Sequence, residues 1–119
     1  MTKEELKYYL AAKEELMDLR RKVSAAQERA RHSKTDADAE RACREVALYE
    51  TTADLVEQQR LQIEAAIMSV RNPDARMALR MRYIDGRSDV EIAMRLNYSD
   101  RQIRRIINTA IEEIERAGD

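Results

Sequence analysis

The sequence predicts an all-α protein, a long antiparallel, coiled-coil-like helical hairpin followed by a three-helix helix-turn-helix unit. Three observations predict it. Charged residues make up 38% of the 119 positions, with only two Gly and one Pro to interrupt helices. Two long runs repeat apolar residues at alternating steps of three and four. Two serines then stand close together, each followed three residues later by a side chain able to complete a helix cap.

The first helix opens on Thr2 and Glu5, which have capping-box spacing. Its seam is Tyr9, Ala12, Leu16, Leu19, Val23, Ala26 and Ala30. A polar break follows over His32–Asp36. The second series is Ala39, Ala42, Val46, Tyr49, Ala53, Val56, Arg60, Ile63, Ile67 and Val70. Both keep the heptad rhythm of a coiled coil. A turn near 32–35 folds them head to tail. The expected register pairs Ala26 with Ala39, Val23 with Ala42, Leu19 with Val46 and Leu16 with Tyr49. It continues to Ala12 with Ala53, Tyr9 with Val56, and Glu5 with Arg60. In that register Ile63, Ile67 and Val70 extend past the first helix and pack on the C-terminal part of the chain. Leu10, Met17, Leu48 and Leu55 lie off the seams and predict self-association, as a homodimer or a higher homo-oligomer.

The expected organisation is residues 1–71 as an oligomerising or positioning hairpin and 72–119 as a second module. Asn72 and Pro73 suit an N-cap and a first helical position. That helix is expected to end at Asp85–Gly86, where glycine takes a left-handed cap. Ser88 with Glu91 caps a short helix, Asn97–Tyr98 turns, and Ser99 with Gln102 caps a helix to about Arg116. Two helices so closely joined must cross steeply, as in a helix-turn-helix. The expected core is Leu79, Tyr83, Ile84, Ile92, Ala93, Leu96, Ile103, Ile106, Ala110, Ile111 and Ile114.

Burying those isoleucines leaves Asp100, Arg101, Gln102, Arg104, Arg105 and Asn108 outward on the last helix. The net charge is −1, yet residues 76–105 hold eight arginines, no lysine and four acids. Residues 106–119 hold one arginine and four acids. A local basic patch steers a neutral protein toward a polyanion. Arginine pairs bidentately with guanine, and asparagine with adenine. Asp100, Arg101, Arg104, Arg105 and Asn108 are therefore the candidate base contacts. Ser88, Ser99, Gln102, Arg80, Arg82, Arg87 and Arg95 are the candidate phosphate contacts, with Arg76 nearby. The competing reading is a helical bundle with a solvated arginine face.

Other chemistry is poorly represented. Cys43 and His32 are single, so neither an intrachain disulfide nor a multi-Cys/His zinc site can form. No phosphate-loop or dinucleotide glycine pattern is present. The expectation is no enzyme, no cofactor and no metal. No apolar run approaches the roughly 20 residues of a membrane span, and the N-terminus lacks a signal-peptide core. A cytoplasmic protein without membrane contact is expected.

The stretch LRMRYIDGRSDVEIAMRLNYSDRQIRRIINTAIEEI resembles region four of bacterial sigma factors. It is more similar still to small phage and prophage transcriptional regulators of the ArpU and RinA type. The likeness covers about 45 residues, while the hairpin matches in length and helicity only. It implies control of phage genes by promoter binding in a bacterial host cell. It matches Ser88 and Ser99 to phosphate-touching caps, and Asp100, Arg101, Arg104 and Arg105 to base-facing positions. Two departures stand out. Asp100 replaces a usual basic residue, so the sigma promoter element is not the expected target. Ile107 replaces a usual polar one and points to packing on the hairpin or another subunit. The chain lacks the other sigma regions and so cannot open a promoter.

The leading expectation is a sequence-specific regulator that binds double-stranded DNA. The alternatives are a phage small terminase subunit that recognises DNA for packaging, and an adaptor that binds RNA polymerase.

Overall fold

A computed structural model describes residues 1–118. Among the described residues there are five α-helices and no strand. They are α1 (Lys3–Arg31), α2 (Asp36–Met68), α3 (Pro73–Leu79), α4 (Asp89–Leu96) and α5 (Asp100–Ala117). Between α3 and α4 lies one π-helical segment, Arg80–Ile84. The chain forms two compact units, Ala12–Arg60 and Met1–Ala11 with Leu61–Asp119.

In the first unit α1 and α2 are antiparallel neighbours. The connection is closed by local caps. The Ser33 hydroxyl donates to the Arg29 carbonyl at 2.6 Å, and Thr35 Oγ1 accepts from the Asp38 N–H at 3.1 Å. The seam positions face inward as their spacing requires: Ala12, Leu16, Leu19, Ala26, Ala42 and Val56 are buried. Val23, Val46, Tyr49 and Ala53 are half-buried.

The register differs from the expected one by about a heptad. Ala30 lies beside Cys43 and Val46, and Val23 beside Glu50 and Ala53. The Arg29 guanidinium pairs with Glu45 at 2.5 Å, and the Lys22 ammonium lies 5.9 Å from the Tyr49 ring centre. Each α1 residue thus meets α2 roughly seven positions later than expected. A slip of seven leaves every apolar step unchanged, so the periodic pattern alone cannot choose. Flanking contacts such as Arg29–Glu45 and the four-residue connection decide it. The shift withdraws the basis for pairing Glu5 with Arg60. The Arg60 guanidinium donates to Glu57, one turn back on α2.

The second unit shows the same displacement independently. The Tyr9 hydroxyl donates to Glu64 at 2.7 Å. Leu6 and Tyr9 share one buried cluster with Ile63, Ile67 and Val70. Those three residues therefore do have partners on α1, contrary to expectation, because α1 meets α2 further along. The cluster continues into Leu79, Met81 and Tyr83, then Ile92 and Ala93, then Ile103, Ile107, Ala110, Ile111 and Ile114. Each large apolar side chain so buried contributes about 1.5–3 kcal/mol relative to exposure. Ile107, 3% exposed, belongs to this core.

Candidate nucleic-acid interface

The interface is built from the caps outward. Asn72 Oδ1 accepts from the N–H groups of Asp74 and Ala75 at 2.9 and 3.1 Å, and Pro73 occupies the first turn. The α3 helix then widens. The Asp85 N–H reaches back five residues to the Arg80 carbonyl at 3.0 Å, which inserts one extra residue into the last turn. Gly86 takes φ +72°, and the Arg87 N–H closes onto the Met81 carbonyl at 2.8 Å. The widened turn buries Met81 beside Tyr83.

Arg82 leaves the same turn toward α4. Its guanidinium is hydrogen-bonded to Asp89, and it lies 5.8 Å over the Tyr83 ring. Burial disfavours the charge, but Asp89 more than offsets this and holds the guanidinium above its ordinary pKa. Arg82 thus joins the π-helical segment to α4, and its charge is matched within the fold. Arg76 is similarly engaged, donating to the Val70 and Arg71 carbonyls at 2.9 and 3.3 Å. Arg80 reaches the Met68 sulfur at 3.5 Å and stays exposed. Arg87 is half-buried and Arg95 is exposed.

The turn between α4 and α5 is fixed at three points. Asn97 takes the left-handed conformation at φ 61°, and the Tyr98 N–H donates to the Ala93 carbonyl at 3.0 Å. This is a Schellman-type closure, and asparagine tolerates its geometry better than most residues. The Tyr98 hydroxyl donates to Asp74 at 2.5 Å, tying the turn to α3.

The capping boxes expected at α4 and α5 are both present, and they differ in charge. Ser88 Oγ accepts from the Glu91 N–H at 3.3 Å and donates its own proton to the Glu91 carboxylate at 3.1 Å. Ser99 Oγ accepts from the Gln102 N–H at 3.1 Å, and the Ser99 N–H donates to Gln102 Oε1 at 2.9 Å. The Ser88 hydroxyl is therefore occupied and sits beside a carboxylate, which disfavours an approaching phosphate. The second cap is neutral. Its serine proton and the Gln102 amide N–H₂ are left to donate outward.

The α5 helix presents two opposed faces. Ile103, Ile107, Ala110, Ile111 and Ile114 are buried, while Asp100, Arg101, Gln102, Arg104, Arg105 and Asn108 are exposed. Among the described residues none of Arg101, Arg104 and Arg105 forms an ion pair. The sequence-predicted base-facing residues are thus brought together on one solvated surface, with Ser99 at its end. Ser88 and Arg82 are the predicted phosphate residues whose donor groups are held by carboxylates within the fold, Glu91 and Asp89.

Basic residues gather toward the start of α5 and acidic ones toward its end, while each terminal turn holds both signs, Asp100 with Arg101 and Glu115 with Arg116. Three arginines stand in its first two turns, and Glu112, Glu113 and Glu115 stand in its last two.

No group of His, Cys, Asp and Glu suited to hold a metal occurs among the described residues. No helix among them is long and apolar enough to cross a membrane. A family described as Protein of unknown function (DUF1492) matches residues 13–115. The chain belongs to this family. The match takes in most of the hairpin and all of α3, α4 and the α5 arginine face, so the family's shared unit includes both. No curated protein and no solved structure matches the chain.

Proposed function

We propose that this protein is a sequence-specific, double-stranded DNA-binding transcriptional regulator of phage or prophage genes, acting in the bacterial cytoplasm without catalysis. The observation that carries the reading is the exposed, unpaired Arg101–Arg104–Arg105 face at the N-terminal half of α5. In a helix-turn-helix that end of the second helix enters the major groove. Arg101, Arg104 and Arg105 meet base edges there, with Asn108 deeper along the helix. The Ser99 proton, the Gln102 amide, Arg80, Arg87 and Arg95 are the phosphate contacts. Arg82 is a positioning residue that holds α4 through Asp89.

The likeness of residues 79–114 to sigma region four and to ArpU- and RinA-type regulators supports the same reading. Exposed Leu48 and Leu55 support self-association of the hairpin, which gives a dimer two related half-sites to read. The test is selection of bound duplexes from a random pool by the purified full-length protein, followed by sequencing. An enriched motif, lost on Arg104→Ala and Arg105→Ala, is the expected result. Retention of no duplex at low salt overturns the reading.

A further inference from the structure

Asp100 is the one carboxylate in the first three turns of α5, where its only service to the fold is that of a negative charge in the first turn. It is the first residue of the helix and is exposed. The cap is made by Ser99, whose hydroxyl and carbonyl accept from the Gln102 and Ile103 N–H groups at 3.1 and 3.0 Å. Arg104 lies one turn on, where an ion pair is sterically easy, yet Asp100 forms none among the described residues. A free carboxylate at the leading end of such a surface opposes contact with phosphate at every DNA sequence. It becomes favourable only where it meets a hydrogen-bond donor.

We propose that Asp100 sets the base preference of α5 by accepting a hydrogen bond from an exocyclic amine in the major groove. This rests on the DNA-binding function proposed for α5. An ionised carboxylate only accepts. In the major groove, cytosine N4 and adenine N6 carry the donors, while guanine and thymine present only acceptors beside the thymine methyl. Asp100 therefore selects an amine-bearing base and rejects the other two. The neighbouring arginines take guanine, so the same surface reads both signs of the groove's pattern. The carboxylate also weakens binding to DNA that offers no amine at that position, which widens the gap between specific and random sites.

The test compares the full-length wild type with Asp100→Ala and Asp100→Asn by selection from random duplexes. Affinities are then measured for the wild-type optimum and for a random duplex, together with thermal unfolding. The wild-type motif is expected to hold one position fixed as cytosine or as adenine, and the base found tells the two apart. In Asp100→Ala that position becomes degenerate, and affinity for the optimum drops about ten- to one-hundred-fold. Affinity for random duplex rises. Asp100→Asn, which can also donate, shifts the preference toward adenine. An unchanged motif in both variants, with only a small shift in thermal stability, overturns the proposal and leaves Asp100 a helix-terminal charge. A wild type that enriches no motif overturns the DNA reading itself, and the inference with it.

Discussion

Glu91 and Gln102 hold the same place in two consecutive capping boxes, and they give the two helix ends opposite characters. Each side chain reaches back to its capping serine, Ser88 or Ser99. Glu91 brings a negative charge to the start of α4, whereas Gln102 keeps the start of α5 neutral. Gln102→Glu keeps the box intact and adds one negative charge beside Arg101 and Arg105. Thermal unfolding is expected to stay within about 0.5 kcal/mol of wild type, while duplex binding falls at least ten-fold. Glu91→Gln is expected to strengthen binding. Fluorescence anisotropy with labelled duplex checks both, and equal affinities in all three proteins would contradict the role given to the second cap.

Arg101 lies in the first turn of α5, where the helix dipole disfavours a cation. Arg101→Glu is expected to raise stability by up to about 0.3–1 kcal/mol and to abolish measurable duplex binding. Chemical denaturation and anisotropy on one preparation give both values. A destabilised variant would show that Arg101 serves the fold.

The hairpin's existence was legible in the sequence, and its register was not. The seam from Tyr9 to Ala30 and from Ala39 to Val70 turns inward as the three-four spacing requires. The spacing repeats itself after seven residues, so contacts such as Arg29–Glu45 and Tyr9–Glu64 had to supply the offset. Both capping boxes were legible because their signal is local and chemical. The π-helical turn was not, because an extra residue in a helix leaves no compositional mark. It buries Met81, and half-buried Arg82 turns to Asp89. The exposed face of α5 followed from the isoleucine pattern alone. Arg82 could be assigned its partner Asp89 only once α4 was placed.

Gly86 is a fixed conformational requirement of that widened turn. Its φ is +72°, and a Cβ there would sit 3.2 Å from Leu10 Cδ1. Gly86→Ala is expected to cost about 1–2 kcal/mol. Gly86→Asn, which tolerates the left-handed region better, is expected to cost less. Equilibrium denaturation ranks the two, and an alanine variant as stable as wild type would contradict the assigned backbone strain.

Tyr83 and Tyr98 are expected to titrate late. Burial pushes the Tyr83 phenol above its ordinary value, and the hydrogen bond to Asp74 raises Tyr98. Both raised values favour the protonated phenol in the folded state. Their stabilisation is complete below the unfolded phenol value of about 10 and is lost as pH rises through the raised folded values. Alkaline titration of phenolate absorbance should show late-titrating groups, one of which disappears in Tyr98→Phe. Five phenols ionising together at the ordinary value would contradict both environments.

The most direct test of the arginine face is the salt dependence of duplex binding. It compares the wild type with the Arg101→Ala, Arg104→Ala, Arg105→Ala triple variant on random-sequence DNA. On random-sequence DNA, which offers no matching base edges, these guanidiniums rest against phosphates instead, and each one so held adds about 0.9 to the slope of log affinity against log salt concentration. The triple variant is expected to fold as the wild type does, to bind far more weakly, and to lose about 2–3 from that slope. Superimposable binding curves at every salt concentration would contradict the placement of a DNA duplex on α5.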